Sequence, residues 1–270
     1  MPPYILEVCV DSLEGALAAE AGGADRIELC SCLSEGGLTP SHALVHMVCR
    51  KLRSSFCRVH VLVRPRGGDF LYSEGEVAMM REEVLHAASA GAHGIVVGFL
   101  TPKGDVDVNR TVHFVQLTRA LGLDLTFHRA FDVVRNQVQA LSDLIDCGVG
   151  RILTSGGESS AIKGLSRLAM LHSMSESRCS IMPGGGVTED NVETILKCTG
   201  VREIHGTFRR VKPSNMRYFH PEVVFGPPGA GEQPGEGNSW DIWVADVALI
   251  RQIKSRLSGK DGDDDQSNME

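Results

Sequence analysis

Four segments of the chain share one short phrase: a glycine, a small residue, two variable positions and an isoleucine. They are Gly23-Ala24-Asp25-Arg26-Ile27, Gly91-Ala92-His93-Gly94-Ile95, Gly148-Val149-Gly150-Arg151-Ile152 and Gly200-Val201-Arg202-Glu203-Ile204. A glycine suited to the left-handed C-terminal cap ends a helix, and the isoleucine opens the next strand. The four glycines are 68, 57 and 52 residues apart, so each interval holds two strand–helix units. Such spacing predicts a fourfold quasi-repeat, hence an α/β fold of the (β/α)8 TIM-barrel type in a single domain. An open doubly wound sheet is the alternative, and it does not predict that regularity.

Short apolar runs mark eight strands at Ile5–Val10, Arg26–Cys30, Arg58–Val63, Gly94–Gly98, Asp124–Phe127, Arg151–Thr154, Cys179–Met182 and Glu203–His205. Helix starts are expected at Asp11–Glu14 and Ser73–Glu76, which have capping-box form, at Thr39-Pro40, and at Thr188-Glu189-Asp190. The barrel is expected over residues 4–257, with an irregular Pro/Gly-rich loop at 208–241 before the last helix. Residues 258–270 read as an acidic, disordered tail.

Aromatic residues make up only 5% of the chain, so the interior is expected to be aliphatic and small. The formal net charge is −7, and the tail, with one lysine against five acids, carries more than half of it. A body of that charge offers no general attraction to nucleic acid or to an anionic membrane. No apolar run approaches the roughly 20 residues of a membrane span. Met1-Pro2-Pro3-Tyr4 leads directly into a strand, so no signal peptide is expected. Eight cysteines in a chain of this length then read as reduced thiols, with Cys49, Cys57, Cys147, Cys179 and Cys198 serving packing.

In such a barrel the residues at the carboxyl ends of the strands form the site. The first strand ends Glu7-Val8-Cys9 and the second Glu28-Leu29-Cys30. Period two puts each Glu and Cys on one face. If that face is the interior, Cys9 and Cys30 can share a soft ion of low coordination number, for which Cu(I) is the best match. Burial of both as small apolar side chains fits the same pattern.

Arg64 and Arg66, in Arg64-Pro65-Arg66-Gly67-Gly68, read as an anion clamp or as a solvated surface turn. His128 and Arg129 after the fifth strand are candidates for proton transfer and for binding an anion or carbonyl. Gly184, Gly185 and Gly186 after the seventh strand, and Gly206 after the eighth, expose backbone N–H groups where barrels commonly bind phosphate. Thr154-Ser155-Gly156-Gly157 offers further donors.

Taken together, Glu7–Asp11, GGADRIELCSCLSEGGLTP at 22–40, RPRGGDFLY at 64–72, TFHRAFD at 126–132, LTSGG at 153–157 and MPGGGV at 182–187 resemble the CutC copper-homeostasis family. The resemblance runs from residue 4 to about residue 257. It implies a (β/α)8 barrel, a cytoplasmic setting, a homo-oligomer, and Cu(I) held by Cys9 and Cys30. Cys32 stands where the family's phrase leads one to expect a small residue, and the stretch 208–237 is longer and richer in proline.

Two functions follow from these residues. One is copper homeostasis through a Cu(I)–thiolate pair. The other is an isomerase or lyase acting on a small phosphorylated or carboxylated metabolite. In that case Glu7, Glu28 or His128 would move protons and Arg64, Arg66 or Arg129 would neutralise the anion. No lysine sits at an expected strand end, which argues against a Schiff-base aldolase.

Overall fold

Gly23, Gly91, Gly148 and Gly200 all take positive φ, between 74° and 94°, and the isoleucines that follow them are fully buried. The repeat is thus a helix stop followed by a strand start, used four times. The structure is a computed structural model, and it describes residues 4–218, 220 and 241–258.

Strands and helices alternate: β1 Ile5–Val10, α1 Leu13–Ala21, β2 Arg26–Leu29, α2 His42–Lys51, β3 Arg58–Leu62, α3 Glu74–Ala90, β4 Gly94–Val97 and α4 Val108–Ala120. The second half continues with β5 Asp124–Phe127, α5 Gln137–Cys147, β6 Arg151–Thr154, α6 Leu165–Ser175, β7 Ser180–Pro183, α7 Val192–Thr199 and β8 Glu203–Gly206. Parallel ladders run in the order β7-β6-β5-β4-β3-β2-β1-β8. The two ends meet where Gly184, just past β7, packs on the His205 ring of β8, which a Cβ at Gly184 would approach to 3.1 Å. The fold is the (β/α)8 barrel.

The chain then forms an antiparallel ribbon of β9 Arg209–Lys212 and β10 Ile242–Ala245, and ends in α8 Val247–Leu257. The stretch expected to be irregular from residue 208 therefore opens with a strand. The Pro/Gly runs at 227–237 and the acidic tail beyond residue 258 lie outside the described residues. No described helix is long and apolar enough to cross a membrane.

Helix starts differ in detail from the sequence reading. Ser73 forms the expected capping box with Glu76. In α1 the cap is Ser12 rather than Asp11, and in α2 it is Ser41, while Thr39 instead accepts a hydrogen bond from the Arg64 N–H. Helix α7 begins only at Val192, so Thr188-Glu189-Asp190 form the turn before it. Ser73→Ala removes one side of a reciprocal cap and should cost about 1 kcal/mol. A thermal melt would register that as a fall of roughly 2–4 °C.

The strands have two unlike faces. Toward the helices they present Leu6, Val8, Ile27, Leu29, Val59, Val61, Ile95, Val97 and Ile152, all buried, each worth roughly 1.5–3 kcal/mol of apolar transfer. Arg26 of β2 reaches Met182 of β7 and Glu203 of β8, contacts possible only across the lumen. Period two then places Glu7, Cys9, Glu28, His60 and His205 inside as well. The expectation of an aliphatic interior holds for the outer shell and fails for the lumen, which is charged.

Candidate metal and anion site

Cys9 lies opposite Glu28 in the β1–β2 register, and Cys30 follows β2 with its N–H donated to Val10 O at 2.9 Å. This stagger brings the two Sγ atoms to 3.7 Å. Cys9 also donates to Glu28 Oε1 at 3.5 Å, and Cys30 to the Val10 carbonyl at 3.5 Å. Cys30 sits fully buried behind Cys9 with Leu62 and Val96. Residue 205 of β8 pairs in register with Glu7, and it completes a group: ligand atoms of Cys9, Glu28 and His205 all lie within 4.8 Å of one another.

Metal–thiolate bonds of about 2.3 Å put two sulfurs about 3.8 Å apart at a tetrahedral angle and about 4.6 Å apart in a line. The observed 3.7 Å suits an angular site with a third ligand better than a linear pair. His205 fits that third position. Its Nδ1 lies 2.7 Å from Glu7 Oε1, leaving Nε2 for a metal, and a carboxylate on the far nitrogen is the usual support of a metal-binding imidazole.

Charges in the lumen are arranged around this group. Burial opposes ionisation of Glu7, but Arg26 and His205 outweigh it and hold the carboxyl well below its ordinary range. Burial likewise disfavours a charged His205, yet its hydrogen bonds to Cys9 and Glu7 raise it well above the usual imidazole value. Glu28 is raised by burial first, and its Oε2 has no partner. The hydrogen bond with Cys30, burial and the nearby Glu28 keep the Cys9 thiol well above the ordinary range. The resting group thus holds protons that a metal would displace.

Above the sulfurs a cavity of about 590 Å³ opens at the carboxyl ends of the strands, within the range of small-molecule sites. His128 lines it, buried against Phe70 with ring centroids 5.0 Å apart. Its Nδ1 accepts from the Ala130 N–H, so the proton sits on Nε2, which is buried without a partner. Burial, with help from Arg64, pushes its pKa down to about 3, so the ring is neutral. A more open groove of about 1070 Å³ lies to the side near Arg135, Lys163 and Arg167. None of the buried, unpartnered polar atoms among the described residues lines that groove, so the mouth is the better candidate.

The structure separates the two arginines read as one clamp. Arg64 is buried, and its Nη atoms donate to the carbonyls of Glu35, Gly37 and Gly68. It fixes the loop after β2 more than it offers donors, although it still borders the cavity. Arg66 points elsewhere: it pairs with Glu76 at 2.6 Å and Asp69 at 3.0 Å and is not among the lining residues. Arg129 does line the mouth, oriented by Asp132 at 2.7 Å and Ser155 at 3.0 Å.

The glycines also divide. Gly184 and Gly206 are required by packing, since a Cβ would meet Leu153 at 2.5 Å and the Phe208 ring at 2.4 Å. Gly185 and Gly186 take positive φ, and neither backbone N–H has an acceptor among the described residues. The donors expected from Thr154, Ser155 and Gly157 instead converge on the Asp132 carboxylate. Of the cysteines read as packing, Cys198 is exposed and the other four are buried. Cys32 is exposed too, at a left-handed φ of 48°.

Sequence reading missed His205 as a ligand, Arg26 as the lumen's counter-charge and Asp132 as the tie between two loops. Only the barrel's closure brings residue 205 beside residue 7. An inward period-two position on the last strand was the available signal.

A family model described as the CutC family matches residues 4–210. A copper homeostasis protein cutC homolog of Homo sapiens is 43% identical over 252 residues, 93% of this chain and 88% of its own length. A CutC family protein of Vibrio vulnificus (strain CMCP6) is 44% identical over 83% of this chain and 88% of its own. The crystal structure of a CutC protein from Streptococcus agalactiae is similar with TM-score 0.72 at 33% identity, covering 76% of this chain and 98% of that one. An aldolase at TM-score 0.57 and 13% identity shares the fold alone, over 76% and 90%. With a family model over most of the chain and relatives above 40% identity, the chain belongs to the CutC family.

Proposed function

We propose that this protein serves copper homeostasis by holding Cu(I) between Cys9 and Cys30, with His205 as third ligand and Glu28 beside them. The observation that carries the reading is the 3.7 Å sulfur pair within reach of a carboxylate-anchored imidazole. Two soft thiolates with one imidazole favour Cu(I) over hard cations. Copper here is cargo, exchanged with other carriers. A cytoplasmic setting, which keeps thiols reduced, and a homo-oligomeric assembly belong to the same proposal.

Competition against a Cu(I) chelator tests it. Cys9→Ser/Cys30→Ser should weaken Cu(I) at least 100-fold, and His205→Asn about 10- to 100-fold, with each variant's melt recorded to establish folding. Wild-type affinity retained by a folded double-serine protein would eliminate the site.

A further inference from the structure

The mouth above the sulfurs carries more recognition chemistry than a copper carrier needs. Its outer wall holds three consecutive backbone N–H groups, those of Gly185, Gly186 and Val187, none with an acceptor among the described residues. Arg129 lies flat on that turn: a Cβ at Gly185 would come within 3.1 Å of its Cζ and Nη1. Nε and Nη2 are engaged by Asp132 and Ser155, which fixes the plane and leaves Nη1 without a partner among the described residues. A rigid guanidinium edge beside bare N–H groups matches a tetrahedral oxyanion.

Other walls are apolar. Phe70, Leu62 and Leu153 line the same cavity. Three buried polar atoms of the lining residues have no partner, His128 Nε2, Arg64 Nε and Glu28 Oε2. Orphaned buried donors and an orphaned buried acid call for a ligand atom or ordered water. The lining thus combines anion donors, apolar walls and buried polar groups that lack a partner.

We infer that the mouth binds a small organic monophosphate. Its phosphate sits on the Gly185 and Gly186 N–H groups and Arg129, its short carbon skeleton lies among Phe70, Leu62 and Leu153, and a hydroxyl or carbonyl oxygen meets His128 and Glu28. This goes beyond copper handling and does not depend on it. The phosphate end is built from loops after β5 and β7, whereas the sulfurs belong to β1 and the end of β2.

Calorimetric titration of the metal-free full chain, with a Cu(I) chelator present throughout, tests the assignment independently of copper. The probes are glycerol 1-phosphate, inorganic phosphate and glycerate. Saturable binding of glycerol 1-phosphate is expected, tighter than either control. Arg129→Ala, at a side chain 44% exposed, should weaken it about 10- to 100-fold, the loss of a charge-assisted pair. His128→Asn keeps an acceptor for the Ala130 N–H while deleting the Nε2 donor, and should also weaken it. Absence of saturable binding, glycerate or inorganic phosphate binding as tightly, or folded Arg129→Ala and His128→Asn proteins binding like wild type would each overturn the proposal.

Discussion

Replacing Arg26 by methionine is expected to lower the unfolding free energy by about 3–5 kcal/mol, a loss visible as a reduced urea midpoint. The guanidinium is buried at the centre of the lumen, where Nε meets Glu7 and Nη2 meets Glu203 at 2.5 Å. Both carboxyls ionise below their ordinary range, with burial opposing and the charges around them prevailing, Arg26 with His205 at Glu7 and Arg151 with Arg26 at Glu203. Methionine fills most of the volume but leaves the buried Glu7 carboxylate with His205 as its remaining close counter-charge. Glu203 keeps Arg151 at 2.5 Å, so the lower end of the range is expected. Adding Glu7→Gln to Arg26→Met should recover part of the loss, because the underpaired charge disappears. A single variant within 1 kcal/mol of wild type would mean that the lumen is wet or its acids already protonated, and the charged-core description would fall.

Arg26 also shows where sequence reading reaches its limit. The barrel was legible because the Gly–x–x–x–Ile phrase reports a local necessity, a left-handed helix stop before a buried strand, and all four copies take that form. The Cys9 and Cys30 pairing was legible for a similar reason, since adjacent parallel strands with matched endings bring them together. Parallel strands in a barrel are buried on both faces, so apolar alternation does not say which face is inward. Arg26 and Glu28 could be placed on one face of β2, but their partners Glu203 and His205 arrive from β8 only on closure. The loops were harder still. Arg64 and Arg66 are two residues apart in one turn, yet one is sealed among carbonyls and the other lies outside with Glu76. Nothing in their spacing separates them. Asp132 became visible only as the point on which Thr154, Ser155, Gly157 and Arg129 converge.

Stability should also fall steeply in mild acid because of His128, by roughly 1.4 kcal/mol per pH unit from this one residue. In the unfolded chain an imidazole takes its proton near pH 6.5. In the folded protein burial first, and Arg64 second, hold that step down to about 3. Between those values the unfolded state binds one proton more than the native state, so the contribution is intact above pH 6.5 and shrinks as pH falls toward 3. His128→Asn isolates it, because the amide oxygen can still accept from the Ala130 N–H that Nδ1 now caps at 3.1 Å. Acidic groups and the other histidines titrate in both proteins and cancel in the difference. Urea unfolding at a series of pH values from 4 to 7 should therefore give a wild-type curve steeper than the variant's by about one proton, converging above pH 7 apart from a constant offset. Parallel curves would show that His128 ionises freely in the folded protein, and the buried, neutral imidazole in the cavity wall would have to be abandoned.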